Sequence, residues 1–249
     1  MNLLTRIRTL RAPKPALEPE LPEVARSVAI VMDGNARWAR GHGLSVDEGH
    51  RAGSRALRPV VEAAIDIGVE SLAVFAFSTE NWTRPSDEVE LLMGIFVETI
   101  DRELPDLAAQ GVRTRFVGRR DRAPAELQAK MAALEEATAA ESRLQLWIAF
   151  DYGGRDELVM AARRLLEEGV DPDELDEEAF AARLYEPEMP DPDLLIRTSG
   201  ELRLSNFLLW QLAYAELVFT DRLWPDFGGD DLRTAIEDYA GRRRRFGGR

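Results

Sequence analysis

The chain has 249 residues, no cysteine and a formal net charge of −13. Its hydrophobic share of 45% and charged share of 31% are typical of a globular protein and exclude wholesale disorder. Without cysteine there are no disulfides, Cys-based zinc sites or thiol nucleophiles, which favours a cytoplasmic location, and the acidic balance argues against nucleic-acid binding.

The first 26 residues are predicted to form a tail that precedes the folded domain. Leucine or isoleucine alternates with arginine over residues 1–11, a pattern that fits a short amphipathic helix. Four prolines between positions 13 and 22 then interrupt regular structure. Two interpretations stay open: a peripheral contact with the inner face of the membrane, and a flexible leader. The remaining residues, 27–249, are expected to form one domain.

Short apolar runs alternate with helical patterns along this domain. We predict strands over residues 27–32, 71–77, 112–117, 144–150, 193–196 and 216–219. We predict helices over residues 49–67, 86–110, 124–140, 154–168, 176–184, 206–214 and 229–245. Because continuously apolar strands that alternate with helices form parallel sheets covered on both faces, the pattern predicts an α/β fold with a central, mostly parallel six-stranded sheet.

The loop after the first predicted strand carries residues that suit phosphate and cation binding. Asp33 can hold a hard cation, and Gly34 lets the backbone approach a ligand closely. Arg37 and Arg40 would reinforce anion binding by free N–H groups at the start of a following helix. A polar turn followed by a solvated helix face is the alternative.

Two later loops have a similar character. Glu80, Asn81 and Trp82 follow the second strand in a loop that can close over a ligand, although Trp82 packed on the core is an equally simple interpretation. The loop after the fifth strand, residues 197–206, holds two arginines, three hydroxyls and a glycine. This composition suits a diphosphate, and an ordinary turn is the alternative. Glu216 opens the sixth strand, where we expect it to approach Asp33 and share a metal.

The predicted helix 86–110 has more apolar surface than packing on a sheet requires. One stripe is formed by Val89, Leu92, Phe96, Ile100 and Leu104, and Leu91, Met93 and Ile95 widen it. Such a surface indicates a buried helix, a dimer face or the wall of a cavity for an apolar ligand.

Several motifs occur together in one order along the chain. They span residues 31–39, 49–53, 75–85, 151–155, 193–201, 204–211, 214–217, 224–227 and 244–248. On these motifs the chain resembles the cis-prenyltransferase family, and within it the bacterial undecaprenyl diphosphate synthases. The resemblance implies a homodimeric, Mg²⁺-dependent enzyme. It would add isopentenyl diphosphate units to an allylic diphosphate starter such as farnesyl diphosphate, release diphosphate and thread the polyprenyl lipid carrier into an apolar tunnel.

The resemblance also implies roles for individual residues. Catalytic positions are Asp33 and Asn81, and the metal is held by Asp33 and Glu216. The allylic diphosphate would contact Gly34, Asn35, Ala36, Arg37, Trp38, His50, Ser78, Thr79, Glu80, Trp82 and Arg84. The isopentenyl diphosphate would contact Arg197, Arg203, Ser205, Arg245 and Gly247. Tunnel positions are Ala76, Ile95 and Leu144.

The chain departs from the family pattern at three positions. Ala36 stands where glycine is common, Val46 where arginine is usual and Asp151 where asparagine is common. A non-catalytic partner subunit of a heteromeric prenyltransferase is the alternative function. Such subunits typically lack the acid and the first-loop arginine, which are present here as Asp33 and Arg37. Product length and starter identity stay open.

Overall fold

The computed structural model describes residues 24–242, so most of the predicted tail, Arg245 and Gly247 lie outside the described residues. Its strands are β1 (Ser27–Val31), β2 (Ser71–Ser78), β3 (Val112–Val117), β4 (Leu144–Tyr152), β5 (Leu194–Arg197) and β6 (Glu216–Phe219). Its α-helices are α1 (Asn35–Gly41), α2 (Val46–Ile67), α3 (Ser86–Ala109), α4 (Ala125–Ala137), α5 (Gly154–Glu168), α6 (Glu177–Ala181) and α7 (Gly229–Ala240). Short 3₁₀ helices span Thr79–Thr83, Pro172–Glu174 and Trp224–Asp226.

The strands of the described chain form one sheet in the order β3-β4-β2-β1-β5-β6. Each neighbouring pair is parallel, which confirms the predicted fold class. Because the strands are parallel, their carboxyl ends meet at one edge of the sheet. The loops that follow β1, β2 and β5 therefore converge there, as ligand-binding loops do in open α/β sheets.

Alternate residues of the strands supply the two faces of the core. Even-numbered residues of β1 and β2, such as Ile30 and Leu72, are buried with residues of α2 and α7. Odd-numbered neighbours such as Ala29 are buried with Phe207 and Leu208 from the segment between β5 and β6. That segment therefore covers one face of the sheet without forming a helix.

The predicted helix 206–214 is wrong, because turns occupy these positions. Asn206 and Leu208 have φ angles of 64° and 42°, in the left-handed region that a right-handed helix excludes. Two other predicted helices, 176–184 and 229–245, are shorter in the structure, as α6 and α7. Helix α2 begins three residues before its predicted start, because Ser45 and Glu48 form a capping box.

Helices α2 and α3 are the longest in the described chain, with 22 and 24 residues. Neither they nor any other helix between residues 24 and 242 is long and apolar enough to cross a membrane. Part of the α3 surface, including Leu92 and Met93, is buried with residues of α4 in a third core cluster. Another part, including Ile95, faces a cavity between α3, α2 and the sheet.

Candidate active site

The carboxyl ends of β1 and β5 bring Asp33 and Arg197 together. Arg197 Nη2 donates to Asp33 Oδ2 at 3.0 Å, and Arg197 Nη1 donates to Ser205 Oγ at 2.7 Å. The Arg197 side chain is only 3% exposed, whereas that of Asp33 is 31% exposed. Thr198 fixes the backbone of Asp33, since its hydroxyl accepts the Asp33 N–H and donates to the Asp33 carbonyl. The predicted acid and a predicted diphosphate ligand are therefore direct neighbours.

Asp33 is held in its ionised form by its surroundings. Burial alone would raise the pKa of this carboxyl, but hydrogen bonds with Arg197 and Ser199 lower it. The charges of Arg197 and Arg37 act in the same direction, so the net pKa lies below the ordinary value of 3.8. Asp33 thus presents a carboxylate that is held in place and partly open to the cleft.

Arg37, which follows β1, joins this part of the chain to the loop after β5. Arg37 donates to the carbonyl of Ser199 at 2.9 Å and to its hydroxyl at 2.5 Å. It also lies 3.5 Å from Asp33 and 3.3 Å from Glu201. Arg203 pairs with the same Glu201, and its side chain is 60% exposed. Two of the five predicted arginine ligands, Arg197 and Arg37, therefore meet at Asp33, while Arg203 is paired with Glu201.

A cleft opens at this edge of the sheet and contains many of the predicted site residues. It is lined by Asp33, Asn35, His50, Ala76, Ser78, Glu80, Asn81, Arg84, Arg197 and Ser205. Gly34, Ala36, Arg37, Trp38, Thr79, Trp82 and Arg203 are not part of this lining. The Trp38 indole N–H donates a hydrogen bond to Asp226, and the Trp82 indole N–H donates one to Asp151.

Asn206 lines the cleft too. It ends the loop 197–206, for which a diphosphate was predicted, but it is not among the predicted site residues. Its side-chain amide donates to Glu80 at 2.9 Å, and its side-chain oxygen accepts the N–H of Arg155 at 2.8 Å. It thereby joins the loop after β2 to the first turn of α5. Its position directly after Ser205, in a loop predicted to bind diphosphate, is the sequence feature that could have identified Asn206 as a site residue.

Two polar atoms at the inner end of the cleft are buried without a hydrogen-bond partner among the described residues. They are Asn35 Oδ1 and His50 Nε2. The nearest carboxylate to His50, that of Glu88, is 3.7 Å away, beyond hydrogen-bond distance. Burial lowers the pKa of His50, and the charge of Arg84 adds to this effect. Buried polar atoms are rarely left unpaired, so these two indicate where a polar ligand group would bind.

An apolar cavity continues from the cleft between α2, α3 and the sheet. The cavity and the cleft share six lining residues: Met32, Asn35, His50, Phe75, Ala76 and Leu92. Ala76 and Ile95 line the cavity, as predicted for tunnel positions. Leu144 does not line it, and this prediction is wrong: at the start of β4 it is buried in the core, while Leu146 and Ile148, farther along the same face, reach the cavity.

Within one subunit Glu216 does not share a metal with Asp33, contrary to the sequence-based expectation. Glu216 is in register with Leu194, which is in register with Val28. Val28 precedes Asp33 by five residues, or about 16 Å of extended chain. Glu216 thus lies at the opposite end of the sheet, where its carboxylate binds Arg242 at 2.9 Å.

The residues around Asp33 suit a magnesium diphosphate. Mg²⁺ in such sites is commonly held by one or two carboxylates, with phosphate oxygens and water as the other ligands. Asp33 supplies an ionised carboxylate, and Arg197 beside it presents guanidinium donors that match phosphate geometry. The Nε atom of Arg197 is itself buried without a partner among the described residues.

Known proteins are similar to this chain over most of its length. Residues 31–247 match a family described as "Putative undecaprenyl diphosphate synthase". The ditrans,polycis-undecaprenyl-diphosphate synthase ((2E,6E)-farnesyl-diphosphate specific) of Xanthomonas axonopodis is 49% identical over 238 residues, which cover 94% of this chain and 93% of that protein.

Two solved structures are similar to this one. Lavandulyl diphosphate synthase from Lavandula x intermedia, in complex with dimethylallyl diphosphate, has a TM-score of 0.87 and 36% identity, covering 90% of this chain and 99% of that one. A "probable undecaprenyl diphosphate synthase" from Campylobacter jejuni has a TM-score of 0.77 and 32% identity, covering 91% and 100%.

Proposed function

The chain belongs to the undecaprenyl diphosphate synthase family, and from that premise we propose that it elongates an allylic diphosphate with isopentenyl diphosphate to give a polyprenyl diphosphate. One observation carries the proposal: a charged cleft at Asp33 and Arg197 continues directly into an apolar cavity. A growing prenyl diphosphate has the same two parts, an anionic head and an apolar chain. Farnesyl diphosphate is the starter we propose, as for the Xanthomonas relative.

In each proposed cycle, a carbon–carbon bond forms between the starter and isopentenyl diphosphate. The starter's carbon–oxygen bond breaks, diphosphate leaves, and the incoming unit loses one proton. Negative charge builds up on the departing diphosphate, and oriented donors placed there lower the barrier. Bound Mg²⁺ would neutralise part of this charge, and Asp33 is the residue that would hold it.

The residues of the cleft divide the remaining work. Asn35 and His50, whose buried polar atoms are unpaired among the described residues, would contact the polar head of a ligand. Arg197 and Ser205, which share a hydrogen bond of 2.7 Å, would hold the diphosphate of the incoming isopentenyl diphosphate. Ala76, small and shared by the cleft and the cavity, would leave room for the chain to pass into the cavity.

Three finer features are part of the proposal. Mg²⁺ is the proposed cofactor. A homodimer is the proposed assembly, supported by the exposed apolar side chains of Leu202, Tyr214 and Leu217 on and beside the edge strand β6; the proposed reach of Arg245 and Gly247 into a site falls outside the described residues. The cytoplasmic location and the membrane contact of the tail stay predictions.

The test is incorporation of labelled isopentenyl diphosphate by the purified protein, with and without Mg²⁺. Starters of different lengths are supplied, and the products are sized. We expect Mg²⁺-dependent products longer than the starter. A protein that is inactive alone but activates a catalytic homologue would support the partner-subunit alternative instead.

A further inference from the structure

Asp151, at the end of β4, holds an unusual position for a carboxylate. It is fully buried, and its φ of 47° lies in the left-handed region that non-glycine residues rarely adopt. Its charge is matched by Arg122, which donates from Nε to Oδ2 at 2.8 Å and from a terminal nitrogen to Oδ1. The carboxylate is therefore held bidentately, a geometry that fixes orientation as well as charge.

The same carboxylate also binds the loop that follows β2. The indole N–H of Trp82 donates to Asp151 Oδ1 at 2.8 Å. The guanidinium of Arg122 lies over the Trp82 ring, 5.2 Å from its centroid, and Phe77 contacts the ring edge-on at 5.1 Å between centroids. Trp82 is thus fixed by a hydrogen bond, a cation–π contact and an aromatic contact.

Trp82 belongs to the 3₁₀ helix Thr79–Thr83, whose neighbouring residues face the cleft. Glu80 and Asn81 line the cleft, and Trp82 does not. A displacement of Trp82 would therefore move Asn81 and Glu80, which are one and two residues away in the same short helix.

We propose that Asp151 and Arg122 are positioning residues that hold Trp82, and through it Glu80 and Asn81, in the arrangement needed for prenyl transfer. This inference rests on the proposed function. Neither side chain lines the cleft, so the pair acts through the loop and not on substrate. Misplacing a reacting group by about 1 Å can cost on the order of a hundredfold in rate, which is the scale of effect that a loosened loop would produce.

The chain provides a matched control for Arg122. Arg119 lies on the same loop, its side chain is 39% exposed against 36% for Arg122, and it too forms a bidentate pair. Its partner, Asp121, is 62% exposed and is not bonded to the loop after β2. Arg119→Met therefore removes the same kind of ion pair from the same loop without touching Trp82.

The experiment compares Arg122→Met, Arg119→Met and the double variant Asp151→Asn/Arg122→Met. Amide hydrogen exchange is measured over residues 79–83, and kcat and KM are measured with isopentenyl diphosphate and farnesyl diphosphate. For Arg122→Met we expect exchange at least tenfold faster and kcat/KM at least tenfold lower than for Arg119→Met. The double variant should have a kcat/KM at least threefold higher than that of Arg122→Met. The reason is that the side-chain amide at position 151 removes the unpaired buried charge and still accepts the Trp82 N–H.

Arg122→Lys serves if Arg122→Met does not fold, since it keeps the charge and loses the fork and the planar stacking. For Arg122→Lys we expect exchange over residues 79–83 at least threefold faster, and kcat/KM at least threefold lower, than for Arg119→Met. The inference is overturned if the Arg122 variants match the Arg119 control in either readout, or if exchange rises while kcat/KM stays unchanged. A wild-type protein without prenyl transfer would refute the proposed function, whereas the exchange measurement would still judge the Asp151–Arg122 pair.

Discussion

Replacing Arg197 by methionine tests the charged centre of the cleft. Methionine keeps most of the aliphatic stem of Arg197 and removes the guanidinium that binds Asp33 at 3.0 Å and Ser205 at 2.7 Å. It also removes the donor to the carbonyl of Arg203. The substitution therefore deletes contacts on both sides of the cleft while leaving the apolar packing nearly unchanged.

The structure sets the size of the effect on stability. Breaking a buried ion pair costs about 3–5 kcal/mol because a charge is left unpaired. Asp33 is 31% exposed and regains part of its hydration, so we expect the free energy of unfolding to fall by about 2–4 kcal/mol. The pKa of Asp33 should rise in this variant, since Arg197 contributes both a hydrogen bond and a charge that lower it.

The effect on catalysis follows from the loss of charge-assisted donors to diphosphate. Such donors contribute about 2–4 kcal/mol to transition-state stabilisation, which corresponds to about 30-fold to 1000-fold in kcat/KM. Denaturant unfolding and incorporation of labelled isopentenyl diphosphate measure the two effects. Arg222→Met is the control, because Arg222 is 55% exposed and pairs with Asp231 away from the cleft. The reasoning would be refuted if Arg197→Met lowered the free energy of unfolding by less than about 1 kcal/mol, as loss of an exposed ion pair does, and kept kcat/KM within threefold of the control.

Three further substitutions test the inner end of the cleft, the chain path and a buried carboxylate. Gly53→Ala places a Cβ 2.3 Å from Asn35 Oδ1. We expect this variant to lose about 1–3 kcal/mol in stability and to have a raised KM for the starter. An unchanged KM would contradict the role of Asn35 in starter binding. Ala76→Leu fills space shared by cleft and cavity, so product sizing should show shorter chains; wild-type lengths would refute a chain path there. Burial raises the pKa of Glu157 above 4.5, so its contribution to stability is present below pH 4.5 and is lost as pH rises through the folded-state value. We therefore expect the melting temperature of Glu157→Gln to decline less than that of the wild type over that pH range. Parallel curves for the two proteins would contradict the assignment.

The sheet was predictable because its strands are short, continuously apolar and separated by helical patterns. The six predicted strands agree with those of the described chain to within a few residues. The parallel pairing follows from the fold class that this alternation indicates, whereas the order of the strands is known only from the structure. The capping box at Ser45 and Glu48, which starts α2, was also readable from the sequence, although the predicted start at residue 49 missed it.

The errors arose where long-range contacts decide the structure. The segment after Ser205 has a helical apolar pattern, yet its left-handed residues and the bond from Gly154 to the Asn206 carbonyl place it across the sheet face as turns. Glu216 could not be placed from the sequence, because its distance from Asp33 depends on the register of three strands. The cavity position predicted at Leu144 failed for a related reason: strand alternation gives the face of a residue and not its depth along the strand.

The role of Asp33 is tested most directly by measuring the Mg²⁺-dependent rate of isopentenyl diphosphate incorporation by Asp33→Ala. The control is Asp101→Ala, which removes an exposed carboxylate of α3. We predict that Asp33→Ala loses about a thousandfold or more in rate, while the control keeps the wild-type rate and the same dependence on Mg²⁺. Near-normal, Mg²⁺-dependent turnover by Asp33→Ala would contradict the assignment of Asp33 to the metal and the leaving diphosphate.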